Sequence, residues 1–128
     1  RGRALRAGGG MNHSTTKPTK DEQSRLDALS RMPCICCEST MLPQPFKTEI
    51  HHIVDRGYRS HSGGHMSTLP LCSWHHRGEL LYPQTSREML MLYGPSLARS
   101  KRAFVAQFGS ERELLAVIDA RLKERDAA

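Results

Sequence analysis

Aromatic side chains and long hydrophobic stretches are both scarce in this 128-residue chain. Aromatic residues make up only 5% of the sequence and hydrophobic residues 38%, which excludes a large apolar core. The sequence contains no apolar run near the length of a bilayer-spanning helix and no recognisable secretory signal, so we expect a cytosolic protein with no membrane partner. The low aromatic count also argues against extensive base stacking on a single strand.

Positive charge exceeds negative charge, because 19 lysines and arginines outnumber 13 acidic residues and give a formal net charge of +6. A basic protein of this size often binds a polyanion, most commonly a nucleic acid. Part of the excess lies in residues 1–20, which we predict to form a disordered basic tail. In the alternative interpretation this charge lies in a solvated tail and binds no partner. Met11 resembles a natural start, so residues 1–10 are left out of the fold prediction.

The cysteines are concentrated in two short motifs. Cys34 and Cys37 form a Cys-x-x-Cys knuckle, and Cys72 and His75 form a Cys-x-x-His knuckle. Two such knuckles supply the four ligands of a closed tetrahedral zinc site, and a metal would stabilise a domain with so thin a core. Cys36 is predicted to point elsewhere. One alternative is two disulfides, but thiols stay reduced in the cytosol. A further alternative is a thiol redox protein that uses Cys36 and Cys37, but the βαβ pattern that such a protein would need is missing.

Three histidines near these knuckles exceed the needs of a structural zinc site, namely His51, His52 and His76. His51 and His52 are adjacent on a predicted strand, so their side chains point to opposite faces and suit two roles, one metal ligand and one base. His76 follows His75 on a predicted helix, about 100° around its axis, and can face a second metal. A metal with few protein ligands keeps positions open for water and phosphate oxygens. The alternative for any one of them is an exposed polar residue or a zinc ligand.

The remaining pattern predicts a small α+β domain. A capping box at Thr19–Glu22 starts a helix to about Arg31, and Pro33 ends it. Residues 47–54 and 67–71 are typical of strands, and a helix with two adjacent histidines follows. Further helices are predicted from the cap Ser86 to Gly94, from about Ser96 to Phe108, and from the capping box Ser110–Glu113 onward, with Leu114, Leu115, Val117, Ile118 and Leu122 on the buried face of the last.

The order of these motifs resembles the HNH, or ββα-metal, endonucleases. A closer resemblance is to the phage recombination-enhancement (Ref) family of RecA-dependent nucleases, and it covers roughly residues 31–80. The matching positions are Pro33, Cys34, Cys37, His51, His52, Ile53, Arg56, His65, Leu69, Pro70, Leu71, Cys72, Trp74, His75 and His76. The resemblance implies a zinc-stabilised ββα-metal core at about 31–80 and flanking C-terminal helices at about 86–125, within an HNH nuclease domain spanning 21–128.

The resemblance also implies a role for each of the surplus histidines. His51 would be a ligand of a catalytic divalent metal, which is expected to be Mg²⁺, Mn²⁺ or Zn²⁺. His52 would be the general base that activates water, and His76 would be a second metal ligand. The two knuckles would hold the structural zinc, with His75 in place of the usual fourth cysteine.

The middle position of the HNH motif departs from the family pattern. An asparagine usually orients the base from this position, but residues 55–80 contain none. His65 is expected to take this catalytic role. Ser67 is a weaker candidate, and a downstream residue such as Tyr93 is a further alternative.

The implied substrate is DNA, either single-stranded or in a recombination intermediate, with the RecA filament as a partner in the cytoplasm of a bacterial host. The gene would then belong to a phage or prophage. Contacts are expected mainly with phosphates, and the candidates are Arg56, Arg59, Arg77, Lys101 and Arg102. The alternative function is a non-catalytic zinc module that binds DNA or a protein. That module would explain the knuckles and the charge but not the surplus histidines.

Overall fold

A computed structural model of the chain describes residues 17–127. Two short strands form its central hairpin, and helices pack around them. The elements are α1 (Lys20–Ser30), β1 (Thr48–His52), β2 (Thr68–Cys72), α2 (Ser73–Arg77), α3 (Ser86–Tyr93), α4 (Lys101–Phe108) and α5 (Glu111–Ala127), with 3-10 turns at Cys37–Ser39 and Gly64–Met66. The predicted α+β class is confirmed, and β1, β2 and α2 follow one another in the order of a ββα unit.

The hairpin brings the two knuckles together. β1 and β2 pair in antiparallel register along their whole length, and every residue of β2 is buried. The carbonyl of Pro70, in β2, accepts a hydrogen bond of 3.0 Å from the amide of Ile35. This bond holds the segment between Cys34 and Cys37 beside β2, which runs directly through Cys72 into α2.

Capping boxes start three helices of the described chain, at Thr19–Glu22, Thr85–Glu88 and Ser110–Glu113. The first and last were predicted correctly. α3 is capped by Thr85 and not by Ser86, because the Thr85 hydroxyl accepts the hydrogen bond from the amide of Glu88. α4 begins at Lys101 and not near Ser96, because a turn precedes it and Ser100 has a non-helical backbone.

The hydrophobic core lies between the hairpin and the helices. Its largest fully buried apolar side chains are Trp74, Phe104, Leu29, Ile53, Leu69, Leu71, Met89 and Ile118. α5 contributes Leu114 and Ile118, which lie one turn apart on its inner face. Val117 is 42% exposed, so its predicted burial is wrong. It neighbours Ile118 in sequence and therefore lies about 100° away from it around the helix.

None of the helices within residues 17–127 combines the length and the apolar character needed to cross a bilayer. Most of the predicted basic tail, residues 1–16, lies outside the described residues. The tail and the domain boundaries therefore stay predictions.

Candidate active site and metal centre

Four buried side chains converge where β2 runs into α2, and we call them the Cys–His cluster: Cys34, Cys37, Cys72 and His75. Nδ1 of His75 lies 3.4 Å from the sulfur of Cys72 and 3.5 Å from the sulfurs of Cys34 and Cys37. All four donor atoms lie within 4.8 Å of one another. Three thiols and one imidazole are a donor set of tetrahedral structural zinc sites, so the cluster can hold a metal ion.

The second ring nitrogen of His75 fixes its orientation in the cluster. Nε2 donates a hydrogen bond of 2.8 Å to the carbonyl of Tyr93, which directs Nδ1 to the sulfurs. Burial lowers the pKa of His75, but its hydrogen bonds with Cys34 and Cys72 outweigh burial and raise that pKa to about 9. Tyr93, one alternative for the middle HNH position, thus contacts the Cys–His cluster.

Cys36 lies outside this donor set. Its side chain is only 1% exposed and packs in the hydrophobic core. A hydrogen bond with Cys34, followed by burial, raises the pKa of the Cys36 thiol, so it stays protonated and unreactive. All four cysteines are free thiols in the structure. This agrees with the zinc interpretation and disagrees with the alternative of two disulfides.

His51, near the end of β1, lies next to His76 of α2, with ring centroids 4.9 Å apart. Nε2 of His51 donates a hydrogen bond of 2.6 Å to Oε2 of Glu111, the first residue of α5. This bond lowers the pKa of Glu111 below its usual range. The ammonium of Lys101 lies 3.8 Å from the other carboxylate oxygen. A carboxylate from the C-terminal helix therefore joins the histidine pair.

An open cavity of about 370 Å³ borders this pair. It is lined by His51, Val54, His76, Arg77, Leu97, Ala98, Lys101 and Glu111. The lining mixes apolar side chains with two cations, Arg77 and Lys101, and one carboxylate, Glu111, so a phosphate that enters the cavity would meet both signs of charge.

Glu49 lies two residues before His51 and so on the same face of β1. Its carboxylate accepts a hydrogen bond of 2.9 Å from Nδ1 of His76 and bonds of 3.0 and 2.8 Å from Arg77. The hydroxyl of Ser73 donates a further bond of 3.0 Å. Hydrogen bonding with Arg77 is the main cause that lowers the pKa of Glu49 to about 2. Arg77, a predicted DNA contact, is thus already paired with a carboxylate.

His52 has a different neighbour from His51, as alternation along a strand predicts. Its Nε2 lies 3.0 Å from Nδ1 of His65, which belongs to the 3-10 turn Gly64–Met66. Partial burial, followed by the electrostatic influence of Arg59 and His65, lowers the pKa of His52 to about 4. The ring is therefore neutral at neutral pH and able to accept a proton.

Arg112, the second residue of α5, holds the loop between the strands. Its guanidinium donates hydrogen bonds of 2.7 Å to both oxygens of Asp55 and to the carbonyl of Ser62, and one of 3.3 Å to the hydroxyl of Ser67. The loop turns sharply at Gly63, where φ is +111° and a Cβ would collide with the Ser67 side chain. Ser67, the weaker candidate for the middle HNH position, is therefore bound by Arg112.

The other predicted DNA contacts are exposed. Arg56 and Arg59 lie in the loop between the strands, and Lys101 and Arg102 begin α4. Lys101 borders the cavity, and Arg59 is close enough to His52 to affect its pKa. These four exposed cations are available for phosphate contacts.

Within residues 17–127, the Cys–His cluster is the one set in which three or more donor atoms lie within metal-binding distance of one another. His51 and His76 form a looser group together with the carboxylates of Glu49 and Glu111. Imidazole nitrogens and carboxylate oxygens suit Zn²⁺, Mn²⁺ and Mg²⁺ to different degrees. The donor types therefore fit the predicted catalytic metal.

A protein family described as "Recombination enhancement, RecA-dependent nuclease" matches residues 18–123, which include the Cys–His cluster, both strands and the histidines of β1. The chain belongs to this RecA-dependent nuclease family. Membership supports a nuclease enzyme with a role in recombination, and the family's activity implies a DNA substrate and a dependence on RecA. The resemblance found in the sequence is confirmed at this level.

In this member of the RecA-dependent nuclease family, sequence reasoning missed two carboxylates beside the histidines. Glu49 had a detectable signal, because the spacing Glu49-x-His51 places both side chains on one face of a strand. Glu111 had none, because an acidic residue in the first turn of a helix is ordinary. Its contact with His51 joins residues sixty positions apart and needs the tertiary fold.

Proposed function

We propose that this protein is a metal-dependent DNA endonuclease of the HNH class that hydrolyses phosphodiester bonds in DNA engaged by a RecA filament. One observation carries the proposal. At the end of β1, His51 and His52 each meet a further histidine, His76 and His65 respectively. A structural zinc site needs none of these four side chains, whereas a hydrolytic centre needs ligands and a base.

The metal-binding roles divide between the two groups. The Cys–His cluster would hold a structural zinc that ties the first knuckle to β2 and α2. His51 and His76 would hold the catalytic divalent metal, with the cavity beside them open to a phosphate. When bound, that metal would stabilise the negative charge that develops on the phosphodiester.

His52 acts as the general base. Its neutral ring accepts a proton from the attacking water, and the contact with His65 orients the ring for that transfer. His65 thereby orients the base, which is the role of the usual asparagine at the middle HNH position.

The exposed cations bind the DNA backbone without reading its sequence. Arg56, Arg59, Lys101 and Arg102 supply phosphate contacts, and Arg77 acts mainly through Glu49. The substrate class is single-stranded DNA or a recombination intermediate in the cytoplasm of a bacterial host that carries the phage or prophage gene.

The experiment measures cleavage of single-stranded and homologously paired DNA with Mg²⁺ or Mn²⁺, with and without RecA filaments. The wild-type protein is compared with His52→Ala and with His61→Ala, which removes an exposed histidine from the loop between the strands. We expect His52→Ala to keep its zinc and its fold and to lose about 10²–10⁴-fold in rate. His61→Ala should cleave like the wild type.

Each outcome has a distinct meaning. Undiminished cleavage by His52→Ala would overturn the assignment of the base. Cleavage that does not require RecA would indicate a general HNH nuclease. A folded, zinc-loaded wild-type protein that cleaves under no condition would favour the non-catalytic zinc module.

A further inference from the structure

Glu111 makes a contact that the HNH motif does not account for. The residue lies far downstream of the motif, at the start of α5, and is only 8% exposed. Its Oε2 accepts the hydrogen bond from Nε2 of His51 at 2.6 Å. A carboxylate oxygen can only accept this bond, so it keeps the hydrogen of His51 on Nε2.

A second pair repeats this arrangement. Nδ1 of His76 donates to Oε1 of Glu49 at 2.9 Å. Each histidine that would hold the catalytic metal therefore has one ring nitrogen bound to a carboxylate, and the other nitrogen carries the lone pair. Histidines that bind metals almost always donate their second N–H in this way, to a carboxylate or a carbonyl.

The Cys–His cluster provides a comparison within the same molecule. Nε2 of His75 donates to the carbonyl of Tyr93, while Nδ1 faces the three sulfurs. The nitrogen bound to a protein acceptor and the nitrogen offered to the metal are thus clearly separated. His51, bound to Glu111 through Nε2, repeats the orientation of His75.

We propose that Glu111 is a positioning residue of the catalytic centre, which holds His51 through Nε2 and leaves Nδ1 as the atom that binds the metal. The proposal rests on the proposed nuclease function. It makes α5 part of the active centre, although the motif that identifies the centre ends before α3.

The test compares Glu111→Ala and Glu111→Gln with the wild type and with Glu124→Gln, which changes an exposed glutamate on the same helix. The first readout is calorimetric binding of Mn²⁺ to the zinc-loaded protein, at a temperature at which circular dichroism shows every variant folded. We expect Glu111→Ala to bind Mn²⁺ about 10–100-fold more weakly. Glu111→Gln should lose less, because its amide oxygen still accepts the hydrogen bond, and Glu124→Gln should bind normally.

The second readout is the ¹⁵N NMR spectrum of the His51 imidazole in the zinc-loaded wild type. We expect the hydrogen on Nε2, and we expect added Mg²⁺ or Zn²⁺ to shift Nδ1. A metal bound through Nε2 would overturn the proposal, as would Mn²⁺ binding by Glu111→Ala within twofold of the wild type.

The two proposals can fail separately. If the wild type cleaves DNA while Glu111→Ala binds metal and cleaves normally, only the role of Glu111 fails. If the folded, zinc-loaded wild type binds no second metal and cleaves no DNA, the nuclease proposal fails and the role of Glu111 fails with it.

Discussion

His52 and His65 are thirteen positions apart in sequence, and their ring nitrogens lie 3.0 Å apart. The rings meet edge to face, with centroids 5.1 Å apart and planes inclined by 68°. One nitrogen of this contact donates and the other accepts, so the tautomer of one ring fixes that of the other. The pair therefore behaves as a unit, in which the loop residue sets the orientation of the strand residue.

Replacement of His65 tests this relationship. His65→Asn keeps a side chain that can donate or accept a hydrogen bond, so we expect it to retain cleavage within about tenfold of the wild type. His65→Ala removes the partner of His52 and should lose about 10²-fold. The measurement is the initial cleavage rate at saturating DNA and metal, with zinc content as the control for folding. Equal rates for wild type and His65→Ala would contradict the orienting role.

The pH profile of cleavage should reflect the lowered pKa of His52. The active form is neutral, and a pKa of about 4 keeps it neutral as the pH falls. We therefore expect kcat to stay level from pH 8 to about 5.5, whereas a histidine with the usual pKa of about 6.5 would have lost most of its activity at that pH. Arg59→Gln removes a positive charge that lowers the pKa, so its acid limb should move to higher pH.

Cleavage rates at saturating metal and DNA, measured in steps of half a pH unit, would locate the acid limb of the wild type and that of Arg59→Gln. A wild-type midpoint near pH 6.5 would contradict a lowered pKa for His52 as the catalytic base. An Arg59→Gln profile that coincides with the wild-type profile would exclude an electrostatic influence of Arg59.

Zinc binding should distinguish two neighbouring cysteines. Cys37 belongs to the Cys–His cluster and Cys36 does not, although both are buried. We expect Cys36→Ala to hold one zinc per chain as the wild type does. Cys37→Ala should lose tight zinc and melt at a clearly lower temperature, because binding of a structural zinc contributes directly to folding free energy. Elemental analysis after gel filtration, with circular dichroism melting, measures both; equal zinc content in the two variants would contradict the assignment.

DNA affinity should depend on salt through the exposed arginines. Arg56 and Arg59 lie exposed in the loop, so each alanine variant should lower the slope of log affinity against log salt by about one. Arg77 is bound by Glu49, and Arg77→Ala should change cleavage more than the salt slope. Fluorescence anisotropy with a labelled single strand, over a range of KCl concentrations, measures the slope. A full unit lost in Arg77→Ala would show that its pairing with Glu49 opens for DNA.

The sequence predicted those features that depend on short spacings. The knuckles identified the Cys–His cluster, and alternation along β1 separated the neighbours of His51 from those of His52. The capping boxes located the starts of α1 and α5. Each of these predictions rests on a signal carried by residues within a few positions of one another, such as a knuckle spacing, the alternation of a strand or a capping box.

Features that depend on packing could not be predicted in this way. The late start of α4 and the exposure of Val117 follow from how these helices meet the rest of the protein. The contacts of Glu111 with His51 and of Arg112 with Asp55 connect α5 to β1 and its loop over more than fifty positions. No periodicity or spacing records such a pairing.

These two contacts have a consequence for the order of events during synthesis. A ribosome completes β1, the loop that follows it and both knuckles before it adds Glu111 and Arg112. Glu111 binds His51 near the end of β1, and Arg112 binds the loop. The nascent chain thus carries every histidine of the motif while two side chains that fix their surroundings are still unmade. The centre reaches its final form only after α5 has left the exit tunnel and docked, so a translation product that stops short of α5 has the residues of the motif without their native support.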